Sequence, residues 1–180
     1  GSPIRQELLE KALDWISQGQ IESYMAKHQH DPNALELWQY FQSVMTWVEA
    51  IFPVKRKKEM KGVEWGELYN QYGEDKGLDA NKLEAEIKTL MMDDEIGNKK
   101  GIYPYVLTRN EKYLNLRAFS DGMKRKMYEK QNGICPHCQE KFELDQMEGD
   151  HITPWSEGGK TNEDNGQMLC KNCNRKKSNK

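Results

Sequence analysis

The sequence predicts an α+β chain, mainly helical over residues 1–119 and closing in a small cysteine-stapled ββα unit over residues 120–180. Three observations predict it. Apolar residues in the first part recur at intervals of three and four, the signature of helices with one buried face. All four cysteines lie after residue 134, as two Cys-x-x-Cys pairs. Between those pairs sit a short strand-like segment, a Gly-Gly turn and a polar run leading into the second pair. With 180 residues, 36% of them hydrophobic and 31% charged, the chain holds one helical domain with a modest core plus one metal-sized unit.

The elements follow in order. Residues 4–17 place Leu8, Leu9, Ala12, Leu13 and Ile16 on one helical stripe, and a short helix near 20–28 follows Gly19. Asp31-Pro32 reads as a helix start, a capping Asp with Pro in the first turn. Leu35, Trp38, Phe41, Met45 and Val48 form the expected inner stripe of that helix, and Pro53 closes it. Trp65 to Tyr72 reads as a short helix ended by Gly73. Asp79 caps another, with Leu83, Ile87, Leu90 and Met91 facing inward. Residues 101–118 are ambiguous: Ile102, Tyr103, Tyr105, Val106 and Leu107 favour an extended segment, while Pro104 argues against a central strand. Ser120-Asp121 starts a basic helix from Met123 to Gln131, stopped by Asn132-Gly133. His28 and His30, two apart on a helix end, face different ways and are not a ligand pair. The aromatics of 38–52 read as core, not as a base-stacking surface.

No apolar run approaches the roughly 18 residues of a membrane span, and no secretory signal precedes the first helix. Gly1-Ser2 reads as a cloning remnant, and the chain as the C-terminal part of a longer protein lacking an N-terminal domain. A net charge of −2 argues by itself against nucleic acid, but charge is segregated. Residues 74–95 are acidic, whereas Lys55 to Lys58 with Lys61, Lys124 to Lys126, and Arg175 to Lys177 are basic runs. Local patches decide phosphate binding more than the total does.

Cys135-Pro136-His137-Cys138 and Cys170-Lys171-Asn172-Cys173 read as two zinc knuckles. Thiolates are soft ligands, and Cys135, Cys138, Cys170 and Cys173 make the closed tetrahedral set of a structural zinc. Two disulfides are the competing account. Regular pairing and the absent signal favour metal, hence a reducing, cytoplasmic setting. His137 is a bystander inside the first knuckle. A plain ribbon separates its knuckles by about 15–20 residues, whereas residues 139–169 make a spacer of 31. The inserted part carries Asp150-His151 on a short strand, then Gly158-Gly159, then a helix bearing the second knuckle: a ββα arrangement.

Asp150-His151-Ile152-x-Pro154, Gly158-Gly159, Asn165, Leu169-Cys170-x-x-Cys173 and Asn174 resemble the HNH, or ββα-metal, nuclease family over residues 125–180. The intervals are 14 from His151 to Asn165 and 9 from Asn165 to Asn174. They are similar to the Asp-His, Asn, Asn arrangement of the HNH domain in the CRISPR effector nuclease and in some phage homing nucleases. Asn174 stands where the commonest pattern has a third His. The resemblance implies phosphodiester hydrolysis in DNA, double-stranded by expectation. An imidazole in ordinary surroundings, with a pKa of about 6.5, is mostly neutral at pH 7 and can take a proton from water; His151 is the candidate base. Asp150, on the opposite side of the strand, would bind a divalent ion together with Asn174. Oxygen ligands describe Mg²⁺ or Mn²⁺, where a His at 174 would move preference toward zinc or nickel. The resemblance assigns Asn165 to orienting His151 or bracing its loop. Arg175, Lys176 and Lys177, with Lys160 in the loop, are expected to contact phosphates, which positions the backbone without reading sequence.

Met60-Lys61-Gly62-Val63-x-Trp65-Gly66, Leu107-Thr108-Arg109 and Leu116-Arg117-Ala118-Phe119-Ser120 resemble the helical region before the HNH domain in some bacterial proteins. Those proteins begin with a ParB/sulfiredoxin-like nucleotide-hydrolysing domain and are associated with restriction of foreign DNA. Two functional classes stand: a metal-dependent DNA endonuclease in restriction or phage defence, and a catalytically silent zinc module that binds nucleic acid. Residues 1–119 could in either case serve as a regulatory, DNA-binding or partner-binding region. The sequence carries no signal for oligomeric state.

Overall fold

The computed structural model describes residues 3–178, so Gly1-Ser2, the expected cloning remnant, lies outside the described residues. The chain divides into two compact units, one ending at Asn115 and one beginning at Leu116. Among the described residues no helix is long and apolar enough to cross a membrane.

The first unit is helical throughout: α1 (Pro3–Ser17), α2 (Ile21–His28), α3 (Leu35–Ile51), α4 (Lys57–Met60), α5 (Trp65–Tyr72), α6 (Ala80–Met91) and α7 (Ile102–Thr108). Its core is aromatic. Phe52, Trp65 and Tyr103 meet with ring centroids 5.2–5.5 Å apart, and Val44, Val48, Ile87, Ile102 and Leu114 are buried in the same unit. Gly66 lets α5 lie against α1, because a Cβ there would fall inside the Trp15 indole. Trp15 Nε1 donates to Glu64 Oε2 at 2.9 Å, and Asn70 Nδ2 donates to the Trp15 carbonyl at 2.8 Å. Asp79 caps α6 by accepting from the amides of Asn81 and Lys82, which satisfies two of the four orphan donors of a helix start.

Four sequence readings are resolved or changed here. Residues 102–108, ambiguous in the sequence, are helix. Pro104 sits in the first turn, where its missing N–H costs no helical bond, and Ile102, Tyr103 and Val106 are buried. The third helix begins at Leu35, not behind Asp31-Pro32: Asn33 Oδ1 accepts from the Leu35 amide at 3.0 Å, while Asp31 pairs with His28 Nδ1 at 2.7 Å. Its buried stripe is Leu37, Val44, Val48 and Ile51, whereas Leu35, Trp38 and Met45 are exposed. Apolar residues line more than one side of α3, so two helical stripes fit the same periodicity. In α1, likewise, Ala12 and Trp15 are buried while Leu8 and Leu9 are exposed.

The second unit contains α8 (Asp121–Lys130), β1 (Met147–His151), β2 (Gly166–Cys170) and α9 (Lys171–Ser178). Ser120 Oγ accepts from the Met123 amide to open α8, and Asn132 and Gly133, both at positive φ, turn the chain into the first knuckle. The strands pair antiparallel, Met147 opposite Cys170 through His151 opposite Gly166. Gln131 works as a strand edge: its Oε1 accepts from the Met168 amide at 2.6 Å, and its Nε2 donates to the Met168 carbonyl at 3.0 Å. The core holds Phe119, Met127, Met147, Met168 and Leu169 together with Cys135 and Cys170. A Cβ on Gly166 would strike Met127 Sδ and come within 2.9 Å of Phe119, so glycine there lets α8 rest on the sheet. So small a core needs a staple, and two of its buried members are cysteines.

Candidate metal centre and active site

Cys135, Cys138, Cys170 and Cys173 bring their sulfurs within 4.8 Å of one another, with Cys138 and Cys170 Sγ 3.9 Å apart. A zinc–sulfur distance of about 2.3 Å puts tetrahedral sulfurs about 3.8 Å apart, so the set is close to closed around one ion. The thiols themselves favour a cation. Burial pushes Cys135 up, but backbone N–H groups of Cys138, Cys170 and His137 outweigh it and bring this thiol down to about 7. Cys173 is pushed up to about 12, first by its hydrogen bond to Cys170 and then by burial. Four thiolates around one point repel, so only the first ionises easily, and a dication supplies the missing charge. His137 is exposed beside them. The four cysteines are placed to hold one metal ion, and their thiol chemistry suits zinc.

β1 runs away from this centre and carries Asp150 and His151 at its far end. The two face opposite sides, as the strand pleat requires. Asp150 Oδ2 accepts from Gln167 Nε2, its cross-strand partner, at 2.8 Å and from Lys177 Nζ of α9 at 2.6 Å. Two residues back on the same face, Glu148 Oε2 accepts from Asn174 Nδ2 at 2.7 Å. One strand face and one helix face, Asn174 and Lys177 three apart, thus oppose each other. The Asn174 Nδ2 is turned to Glu148, and a carboxylate with an amide oxygen would make a hard donor set.

On the other side His151 packs against the Phe119 ring, centroids 4.5 Å apart. Its Nε2 lies 2.9 Å from Thr161 Oγ1, and that hydroxyl donates to the Arg117 carbonyl at 3.1 Å. A carbonyl only accepts, so the hydroxyl proton is committed to Arg117 and the Thr161 oxygen accepts from His151. In the neutral imidazole this pairing puts the proton on Nε2 and leaves the lone pair on Nδ1.

Asn165 does not touch the imidazole. Its Oδ1 accepts from the Thr153 amide at 2.8 Å, and its Nδ2 donates to the carbonyls of Thr153 at 2.9 Å and Lys160 at 3.0 Å. Its own carbonyl accepts from the Ile152 amide at 2.9 Å. The side chain thus ties both arms of the loop that follows His151. Gly159 fits inside this knot, where a Cβ would collide with the Thr153 carbonyl. Of the basic residues, Lys160, Arg175 and Lys176 are exposed, while Lys177 turns inward onto Asp150. Sequence reasoning missed Glu148, Thr161, Gln167 and Phe119. Glu148 was findable, since alternation puts residues 148 and 150 on one face; the contact between Thr161 and His151 depends on loop geometry that no short pattern encodes.

A two-stranded sheet and a helix folded round a four-thiolate centre, with Asp-His at the strand end, define a zinc-stapled ββα unit. Residues 135–180 match the family model described as HNH endonuclease, and this segment of the chain is an HNH endonuclease domain. The family implies a nucleic-acid substrate and hydrolase chemistry. No curated protein and no solved structure matches the chain. The match leaves the likeness of the preceding helices to ParB/sulfiredoxin-associated proteins without support.

Proposed function

We propose that the chain is a metal-dependent DNA endonuclease that hydrolyses phosphodiester bonds with His151 as general base. The observation that carries this reading is the chain from His151 Nε2 through Thr161 to the Arg117 carbonyl, which in the neutral imidazole leaves Nδ1 as the basic nitrogen. His151 Nδ1 takes a proton from water as the oxygen attacks phosphorus, and the bond from phosphorus to the 3′ oxygen breaks. Asp150 and Asn174 would hold one Mg²⁺ or Mn²⁺ ion, which when bound supplies positive charge to a non-bridging phosphate oxygen and to the departing oxygen. Glu148 orients the Asn174 amide, and Asn165 holds the loop that shapes the site. Arg175, Lys176 and Lys160 lie exposed for phosphate contact, and such contacts bind duplex without reading its sequence. A role in bacterial restriction or phage defence rests on the sequence likeness of segments 60–66, 107–109 and 116–120 alone, and a cytoplasmic setting on the four free thiols.

A silent zinc module that binds nucleic acid is the second reading, and the pairing of Lys177 with Asp150 is the observation in its favour. Conversion of supercoiled plasmid separates the two, with Mg²⁺, Mn²⁺ or EDTA and with His151→Ala in parallel. Metal-dependent cleavage by the wild type and none by the variant is expected. Absence of cleavage with every metal, alongside intact DNA binding, would leave the silent module.

A further inference from the structure

Lys177 does not behave as the solvated end of a basic run. Its Nζ donates to Asp150 Oδ2 at 2.6 Å and also to the His151 carbonyl. Its side chain is 28% exposed and that of Asp150 16%, whereas the neighbouring Arg175 and Lys176 are open to solvent. Holding a lysine in one rotamer loses about 1.5–2 kcal/mol of side-chain entropy, so the oxygens that gather it must offset that. Both are acceptors only: a carboxylate oxygen, and a backbone carbonyl whose place is fixed by the strand. They converge on one positively charged atom from adjacent residues. That is an oxygen cradle for a cation, filled by the chain's own ammonium.

We propose that Lys177 is a tethered counter-cation of Asp150 that competes with the divalent ion for the same carboxylate. This rests on the reading of Asp150 as an ion ligand. Lys177 neutralises Asp150 and keeps it ordered. It must also swing away when a divalent ion takes the carboxylate, and that displacement weakens the site for the ion. Asn174, one helical turn earlier, stays on Glu148 throughout, so the exchange moves one side chain and no backbone.

The test is Mn²⁺ binding to the whole zinc-loaded chain without DNA, read from the loss of the free aqueous Mn²⁺ signal in electron paramagnetic resonance. Wild type is compared with Lys177→Met, Lys177→Arg and Asp150→Asn. Lys177→Met should bind Mn²⁺ roughly tenfold more tightly, because a dication and an ammonium about 5 Å apart repel by that much even in water-like surroundings. Lys177→Arg keeps the charge and should stay within about threefold of wild type. Unchanged or weaker binding by Lys177→Met, or silence in both it and wild type, overturns the proposal. If Lys177→Met fails to retain zinc, Lys177→Gln carries the same expectation. Asp150→Asn separates the two failures. Loss of binding there with no gain at residue 177 sinks only the counter-cation, whereas wild-type binding by Asp150→Asn sinks the ligand assignment as well.

Discussion

Thr161→Val tests the imidazole arrangement, because it removes one oxygen and keeps the shape of the side chain. In the wild type that oxygen links His151 Nε2 at 2.9 Å to the Arg117 carbonyl at 3.1 Å. Both His151 and Thr161 are only partly buried, so water can reach the stranded groups, and the stability loss should be at the lower end of about 1–3 kcal/mol. The catalytic loss should be larger than that suggests. A positioned general base is worth about 10²–10⁴-fold, and small misplacements remove much of such an effect. With Phe119 still against one ring face, His151 keeps its rough place but loses the bond that selects its tautomer and ring rotation. We expect single-turnover cleavage of supercoiled plasmid to slow by about 10- to 100-fold, short of the loss in His151→Ala. Thr161→Ser, which restores the hydroxyl, should recover most of the rate. Nitrogen-15 spectra of the imidazole should show the proton on Nε2 in wild type and Thr161→Ser, and a mixture in Thr161→Val. A Thr161→Val enzyme as fast as wild type, in a protein that His151→Ala inactivates, would refute the reasoning.

Two further outcomes concern stability. Cys135→Ser, or zinc withdrawal by a strong chelator, should unfold residues 116–180. The apparent binding free energy of structural zinc, about 10–16 kcal/mol, matches or exceeds the 5–15 kcal/mol that holds an ordinary domain together. Protease sensitivity confined to that unit is the readout, and a resistant chelated unit would remove the zinc from its folding. Glu64→Gln addresses the first unit. Burial raises the Glu64 carboxyl, but its bonds from Lys11 and Trp15 outweigh that and hold it below the usual carboxylate range. Its stabilisation is therefore complete above that range and is lost as pH falls through the depressed value. The variant should be less stable than wild type at pH 7, by under about 1 kcal/mol for so exposed a pair. The two urea midpoints should converge in acid, and a difference independent of pH would exclude the ion pair as its source.

What the sequence told and withheld divides along physical lines. Caps and stops were legible where one side chain settles a local backbone need. Asp79 accepts from two amides at the head of α6, Ser120 accepts from one at the head of α8, and Asn132-Gly133 takes positive φ behind it. Faces were less legible. In α3 the stripe of Leu35, Trp38 and Met45 obeys helical spacing as well as that of Leu37, Val44 and Val48, and only the packing partners choose between them. The segment 102–108 was ambiguous for a related reason. Its aromatic and β-branched content suits a strand, but no partner strand exists for it among the described residues, and burial on a helix side decided the matter.

The second unit was legible to a greater depth because its chemistry constrains spacing as well as residue type. Four thiols must close on one point, so their separations along the chain fix where β2 ends and α9 begins. Once β1 and β2 are in register, Asp150 and His151 are obliged to face opposite sides. What remained hidden are the residues that finish the job from outside the motif. Thr161 and Arg117 are 44 positions apart and meet only because the loop after His151 folds back, and that fold is tied by Asn165. Asn165 is therefore linked to His151 only through the loop: its side chain ties the loop, and the loop carries Thr161 to the imidazole. The same logic explains why Lys177 misled a reading by charge alone. A basic run after a metal knuckle reads as a phosphate patch, yet its last member is one helical turn beyond Asn174 and therefore shares its face, opposite Asp150. The position on the helix, more than the charge, decides what that lysine touches.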